Sequence, residues 1–135
     1  MTGYMLDTNT CVHLIKNRTK ALYDRMSILP VESVATSSIV VAELWYGVAL
    51  SRKKRQNETA LKDFLNYVNV LDWPNGAGPV YGSIRRHLKE EGTPIGCMDL
   101  LIAAHALFLG AIVVTDNTRE FERVPGLHLE NWIER

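Results

Sequence analysis

Residues 111–115, "AIVVT", place four apolar side chains in a row with no polar residue between them. A strand with one wet face alternates apolar and polar residues, so a run without alternation belongs to a strand covered on both faces. Such strands are typical of parallel sheets, whose neighbouring strands are joined by crossovers that usually contain a helix. The run therefore demands that strands and helices alternate along the rest of the chain.

They do alternate. "GYMLD" reads as a first strand, and a helix follows from about Thr8 to Lys16. "TKALYDRMSIL" reads as a second helix closed by Pro30, and "SVATS" as a short strand. Ser37 or Ser38 then caps the helix "IVVAELWYGVAL". In "RKKRQNETALKDFLNYV", Leu61, Phe64, Leu65 and Val68 fall at helical spacing, and "VNVLDW" reads as a strand. "NGAGP" is a turn cluster before the helix "VYGSIRRHLKEEG", and "TPIG" breaks the chain before the helix "CMDLLIAAHALFLG". After "AIVVT" come a helical turn, "TREFERV", and a last strand near "LHLEN". The expected fold is α/β, a three-layer α/β/α sandwich on a mainly parallel sheet of about five strands. With 135 residues and no linker or repeat, the chain reads as a single domain, 1–135.

Charge limits the function. Fifteen basic residues balance fifteen acidic ones, which argues against a protein that coats nucleic acid by bulk charge. Cys11 and Cys97 form no metal-binding pair and read as small buried hydrophobes in a reducing cytoplasm. No signal peptide is legible, and the nearly apolar stretch from Leu100 to Leu109 is too short to span a membrane.

Against this background three acids stand out. Asp7 is the only charged side chain before Lys16, Glu43 the only one from Ile39 to Leu50, and Asp99 the only one between Glu91 and Asp116. None has a Lys or Arg three or four residues away. The helix carrying Glu43 is apolar all round, the pattern of a buried helix. A buried carboxylate without a partner costs several kcal/mol, so it takes up a proton, meets a distant cation or binds a metal. Each acid also has an ordinary explanation. Asp7 can cap the following helix, Asp99 can be a first-turn acid favoured by the helix dipole, and Glu43 can pair with a distant Arg.

Taken together they say more. In a parallel sheet, strand carboxyl ends and the starts of the following helices share one edge, where ligands bind. Asp7 ends a strand, Glu43 lies in the second turn after one, and Asp99 begins a helix. Asp116 directly follows "AIVVT" and belongs to the same edge. Several carboxylates in one pocket need a compensating cation, and an all-oxygen ligand set selects Mg²⁺ or Mn²⁺ over Zn²⁺. The matching chemistry is metal-assisted phosphodiester hydrolysis.

These residues resemble the PIN-domain ribonucleases, and within them the bacterial VapC-type toxins. The resemblance rests on "MLDTN" (5–9), "VAELWYG" (41–47), "PIGCMDLLIAAHA" (94–106), "VVTDNTREFERVPGL" (113–127) and "ENW" (130–132), in that order. It implies a PIN-like fold with metal-binding, catalytic acids at Asp7, Glu43 and Asp99. Asp116 is favoured as the fourth acid, with Asn117 or Glu120 as alternatives, and Asn9 and Thr115 resemble supporting groups that orient ligands or the attacking water. It further implies an endoribonuclease that is the toxic half of a toxin–antitoxin pair. Its antitoxin, a VapB-like protein, places a basic tail in the site. The substrate implied is RNA, most often tRNA, and the assembly a homodimer that builds further with antitoxin.

Other features carry two readings. "RKKR" (52–55) and "RRHLK" (85–89) either grip RNA phosphates or are solvated helix surface. His105 reads as a satisfied core histidine, and Trp45, Tyr46, Trp73 and Trp132 as core or interface. A rival function is a small phosphatase or phosphotransferase of the haloacid-dehalogenase kind, with Asp7 as nucleophile in "DTNT". That chemistry wants an acid where Asn9 stands.

Overall fold

The computed structural model describes residues 3–16 and 20–133. Five strands form one sheet: β1 (Tyr4–Leu6), β2 (Val34–Ser37), β3 (Asn69–Leu71), β4 (Ile112–Val114) and β5 (Leu129–Glu130). Their order is β3-β2-β1-β4-β5 and every pairing is parallel. Between them run α1 (Thr8–Lys16), α2 (Lys20–Ser27), α3 (Ser38–Leu50), α4 (Lys54–Leu65), α5 (Gly78–Glu90), α6 (Cys97–Leu109) and α7 (Thr118–Phe121). The helices flank the sheet, as the unalternating strand requires. Met5, Leu6, Val113 and Val114 are fully buried at its centre.

Local chemistry sets the element ends. Ser37, rather than Ser38, caps α3, its hydroxyl accepting from the Ile39 N–H at 3.1 Å. Ser38 instead accepts from the Trp73 N–H at 3.0 Å, which ties the start of α3 to the segment after β3. Gly110, at φ +69°, closes α6 in the left-handed conformation that costs glycine nothing. The second helix ends at Ser27, before Pro30, and the expected first residue of that helix, Thr19, lies outside the described residues.

Two expectations fail. Cys97 is exposed at the first residue of α6, where a helix end protrudes from the core. And α3 is not buried all round. Val40 and Leu44 face inward, while Tyr46 and Leu50 are each 66% exposed. An apolar sequence marks a helix that avoids water only if something covers every face, and among the described residues nothing covers this one. His105 behaves as expected: it is 1% exposed, and its Nδ1 lies 2.9 Å from the Ser37 hydroxyl.

Candidate metal centre

Strand order reverses direction at β1. The chain runs from β1 outward to β2 and β3, then returns to β4 and β5 on the other side. The crevice between the ends of β1 and β4 is thus the switch point where open α/β sheets bind ligands. Asp7 follows β1 at that point and is 3% exposed. Its two oxygens have separate duties. Oδ1 accepts from the Thr10 N–H at 2.9 Å and so caps α1, while Oδ2 accepts from the Thr115 hydroxyl at 2.5 Å. Thr115 is held in turn by the Asn117 N–H, which donates to its Oγ1 at 2.9 Å. Burial raises the pKa of Asp7, the Thr115 and Thr10 hydrogen bonds oppose that rise, and the neighbouring charge of Asp116 adds to it. The capping explanation and the site explanation are therefore both true of this residue.

Glu43 reaches the same edge from the second turn of α3. Its Oε1 accepts from the Thr8 hydroxyl at 2.6 Å, across 35 residues of sequence. No Arg or Lys pairs with it among the described residues; the partner is the threonine beside Asp7.

Asp99 enters from the first turn of α6. Its pKa is pushed up to about 7, first by burial, then by the charge of Glu120 and a hydrogen bond to it, then by Asp7 and Glu43. That list identifies its surroundings as the three other carboxylates. Glu120 comes from α7 and is anchored by two donors, the Gly96 N–H to Oε1 at 2.7 Å and the Asn117 side chain to Oε2 at 3.0 Å. Burial would raise Glu120, but the Gly96 N–H, Asn117, Asp99 and Arg123 outweigh it and hold its pKa down. A side chain on Gly96 would sit 3.5 Å from Glu120 Oε1 and 3.9 Å from Asp99 Oδ2, so both oxygens flank the start of α6.

The structure thus brings Asp7, Glu43, Asp99 and Glu120 to one edge. Asp116 acts on Asp7 and is not among the charges that raise Asp99. Asn9 is exposed and its side chain makes no hydrogen bond to another described residue; the contacts to the acids come from Thr8 and Thr10 on either side of it. These two threonines, and the Gly96 N–H, escape sequence reasoning because hydroxyl and backbone groups leave no mark on an apolar pattern.

Among the described residues, no three His, Cys, Asp or Glu side chains already converge at the spacing that holds an ion. The donor set is nonetheless suited to a hard divalent cation: all oxygen, electrostatically strained at Asp99, and with threonines fixing two of the acids.

Residues 4–127 match the family model of the PIN domain. The chain belongs to the PIN-domain family. The Ribonuclease VapC2 of Rickettsia felis is 45% identical over 130 residues, which are 96% of this chain and 97% of that protein. The tRNA(fMet)-specific endonuclease VapC of Salmonella typhimurium is 41% identical over 132 residues, 98% of this chain and 99% of that one. Among solved structures, VapBC2 from Rickettsia felis bound to a DNA fragment from its promoter aligns at TM-score 0.92 and 44% identity, covering 96% of this chain and 98% of that one. DNA-bound VapBC from Salmonella typhimurium aligns at TM-score 0.94 and 40% identity, covering 98% and 100%. PIN-domain ribonucleases depend in general on a metal ion, which agrees with an all-oxygen donor set at the edge built around Asp7.

Proposed function

We propose that this PIN-domain protein is an endoribonuclease toxin of a toxin–antitoxin pair, cutting RNA with the help of Mg²⁺ or Mn²⁺. The observation that carries the reading is the convergence of Asp7, Glu43, Asp99 and Glu120 on the switch-point edge, with Asp99 raised by burial and then by the other three.

In this reading Asp7, Glu43 and Asp99 hold the cation, with Glu120 beside Asp99 as the fourth group in preference to Asp116. When bound, the cation supplies the Lewis acidity that makes water a nucleophile near neutral pH and steadies charge on the leaving oxygen. The protein's own groups do the rest. Thr115 fixes the Asp7 carboxylate and Thr8 fixes Glu43, so neither must be ordered when substrate arrives. The Gly96 N–H and Asn117 fix Glu120. Asp99 gives up its proton as the crowding of negative charge is relieved.

tRNA is the proposed substrate, as the name of the Salmonella relative states for that protein. The proposed inhibitor is a VapB-like antitoxin, because the solved neighbours are VapBC complexes. The protein would act in the cytoplasm, and no described helix is long and apolar enough to cross a membrane. Homodimer formation belongs to the same reading, and the exposed Tyr46 and Leu50 on α3 offer it an apolar surface. The phosphatase alternative gains nothing from the geometry: both oxygens of Asp7 are engaged, and Asn9, where a second acid is needed, faces out.

The test is incubation of the purified, antitoxin-free protein with total RNA, with Mg²⁺ and with EDTA, beside Asp7→Asn and Asp99→Asn. Cleavage is expected only for wild type with metal. RNA left intact by wild type with Mg²⁺, or variants that cut equally well, would overturn the reading.

A further inference from the structure

A cavity of about 130 Å³ lies between α1, α3 and α4. Its lining includes Thr8 and Glu43, the hydrogen-bonded pair of the metal edge, and continues along α3 through Gly47 to Ser51. From Glu43 to Ser51 is eight residues at 1.5 Å each, about 12 Å. The cavity therefore leads directly away from the acids. It is about ten times what one water requires, and well below the roughly 300–1,000 Å³ of pockets for drug-sized ligands. One flat ring fits within it.

Its walls suit such a ring. Val12, Leu44, Val48 and Leu61 supply apolar surface, and Asn57 an amide that both donates and accepts. Ser51 closes the far end, its hydroxyl buried and without a hydrogen-bond partner among the described residues. The chain between the lining residues Ser51 and Asn57 begins Arg52-Lys53-Lys54-Arg55, all exposed. Four clustered cations attract a polyanion.

Gly47 is the second clue. It sits inside α3, where glycine weakens a helix relative to alanine. No positive φ requires it, and a side chain built there meets nothing within 4 Å. Its one structural effect is to leave open the space beside Glu43, one helical turn away.

We propose that this cavity is a base pocket: it takes the nucleobase of the RNA nucleotide adjoining the cleaved phosphodiester, while Arg52–Arg55 hold the phosphates beyond. This rests on the ribonuclease reading above. A base is gripped between aliphatic walls and read on its edge by Asn57, the manner in which single-stranded RNA is recognised. Cleavage is then selective for one base at one position next to the cut.

The experiment compares wild type, Gly47→Leu and Gly47→Ala on an RNA pool randomised in sequence, reading product ends, kcat and KM. The Mn²⁺-induced rise in melting temperature checks that the metal edge is intact. Wild type should show a base preference at a single position beside the cut. Gly47→Leu should flatten that preference and lower kcat/KM by about tenfold or more, mainly through KM, the scale of losing one base contact. The Mn²⁺ response should be unchanged. Gly47→Ala, which favours the helix, should melt no lower than wild type and lose part of the preference. A Gly47→Leu protein that keeps the wild-type base profile overturns the proposal and leaves the nuclease reading standing. So does one that keeps profile and rate but loses its antitoxin, since the cavity then serves a protein contact. Wild type that cuts nothing would sink both readings together.

Discussion

Asp7 and Asp99 are the same residue type at the starts of two helices on one sheet edge, yet their surroundings are opposite. Asp7 is almost wholly buried and both its oxygens accept hydrogen bonds, one capping α1 and one from Thr115. Asp99 is half-buried and its closest electrostatic neighbours are other acids, so it is pushed up to about 7. The fold uses Asp7 directly, as a helix cap and as the partner of Thr115. Near neutral pH it draws little from Asp99, which is the pattern expected of a residue kept for a cation.

The largest expected effect separates chemistry from stability. Asp7→Asn and Asp99→Asn should each lower RNA cleavage by about 100-fold or more, measured on a defined RNA with Mg²⁺, since each removes a charge from the metal edge. Their alanine variants should then part company. Asp7→Ala loses a helix cap and orphans the Thr115 hydroxyl, and should cost about 1–3 kcal/mol in urea unfolding. Asp99→Ala should unfold at the same urea concentration as wild type, or higher. If the two variants cost the same, the contrast drawn here is wrong.

Next comes Thr115→Val, which keeps the shape and removes the hydroxyl from Asp7. Metal affinity or cleavage should fall by about 10–100-fold, the usual effect of losing a group that orients a ligand. Thr8→Val should act on Glu43 in the same way but more weakly, because that pair is only part-buried. Calorimetric titration with Mn²⁺ would rank the two.

The smallest effect is on pH. The Asp99 pKa rises from an ordinary 3.8 to about 7, so between those values the folded protein binds more protons than the unfolded chain. The stability that Asp99 contributes is present below about pH 4 and is lost as pH rises through about 7. Metal-free protein should therefore melt progressively lower over that range. Added Mg²⁺ should offset the loss, and Asp99→Asn should remove that part of the slope.

How much of this was legible beforehand follows from which groups carry a sequence signal. The parallel sheet was readable because a strand buried on both faces cannot alternate, and β4 sits beside β1 at its centre. Asp7, Glu43 and Asp99 were readable because a lone charge among apolar residues is conspicuous. Asn9 was expected as a supporting group from the family resemblance, but the helix begins at Thr8, which turns position 9 outward and brings 8 and 10 to the acids. Glu120 stood behind Asp116 in the sequence reading because its approach depends on a backbone N–H at Gly96, 24 residues away. The open face of α3 was hidden for a different reason. Hydropathy reports what a residue avoids, not what covers it, so Tyr46 and Leu50 look buried until the neighbours are placed.

The bond from Thr115 to Asp7 spans 108 residues, and the acids of the edge come from four separate segments. As the chain leaves the ribosome, the strand bearing Asp7 emerges early, but its central neighbour β4 and the anchor Glu120 follow only near the end of the sequence. A growing chain therefore carries no assembled centre until almost all of it has been synthesised. For the ribonuclease proposed above, that ordering holds back any cutting until synthesis of the chain is nearly finished.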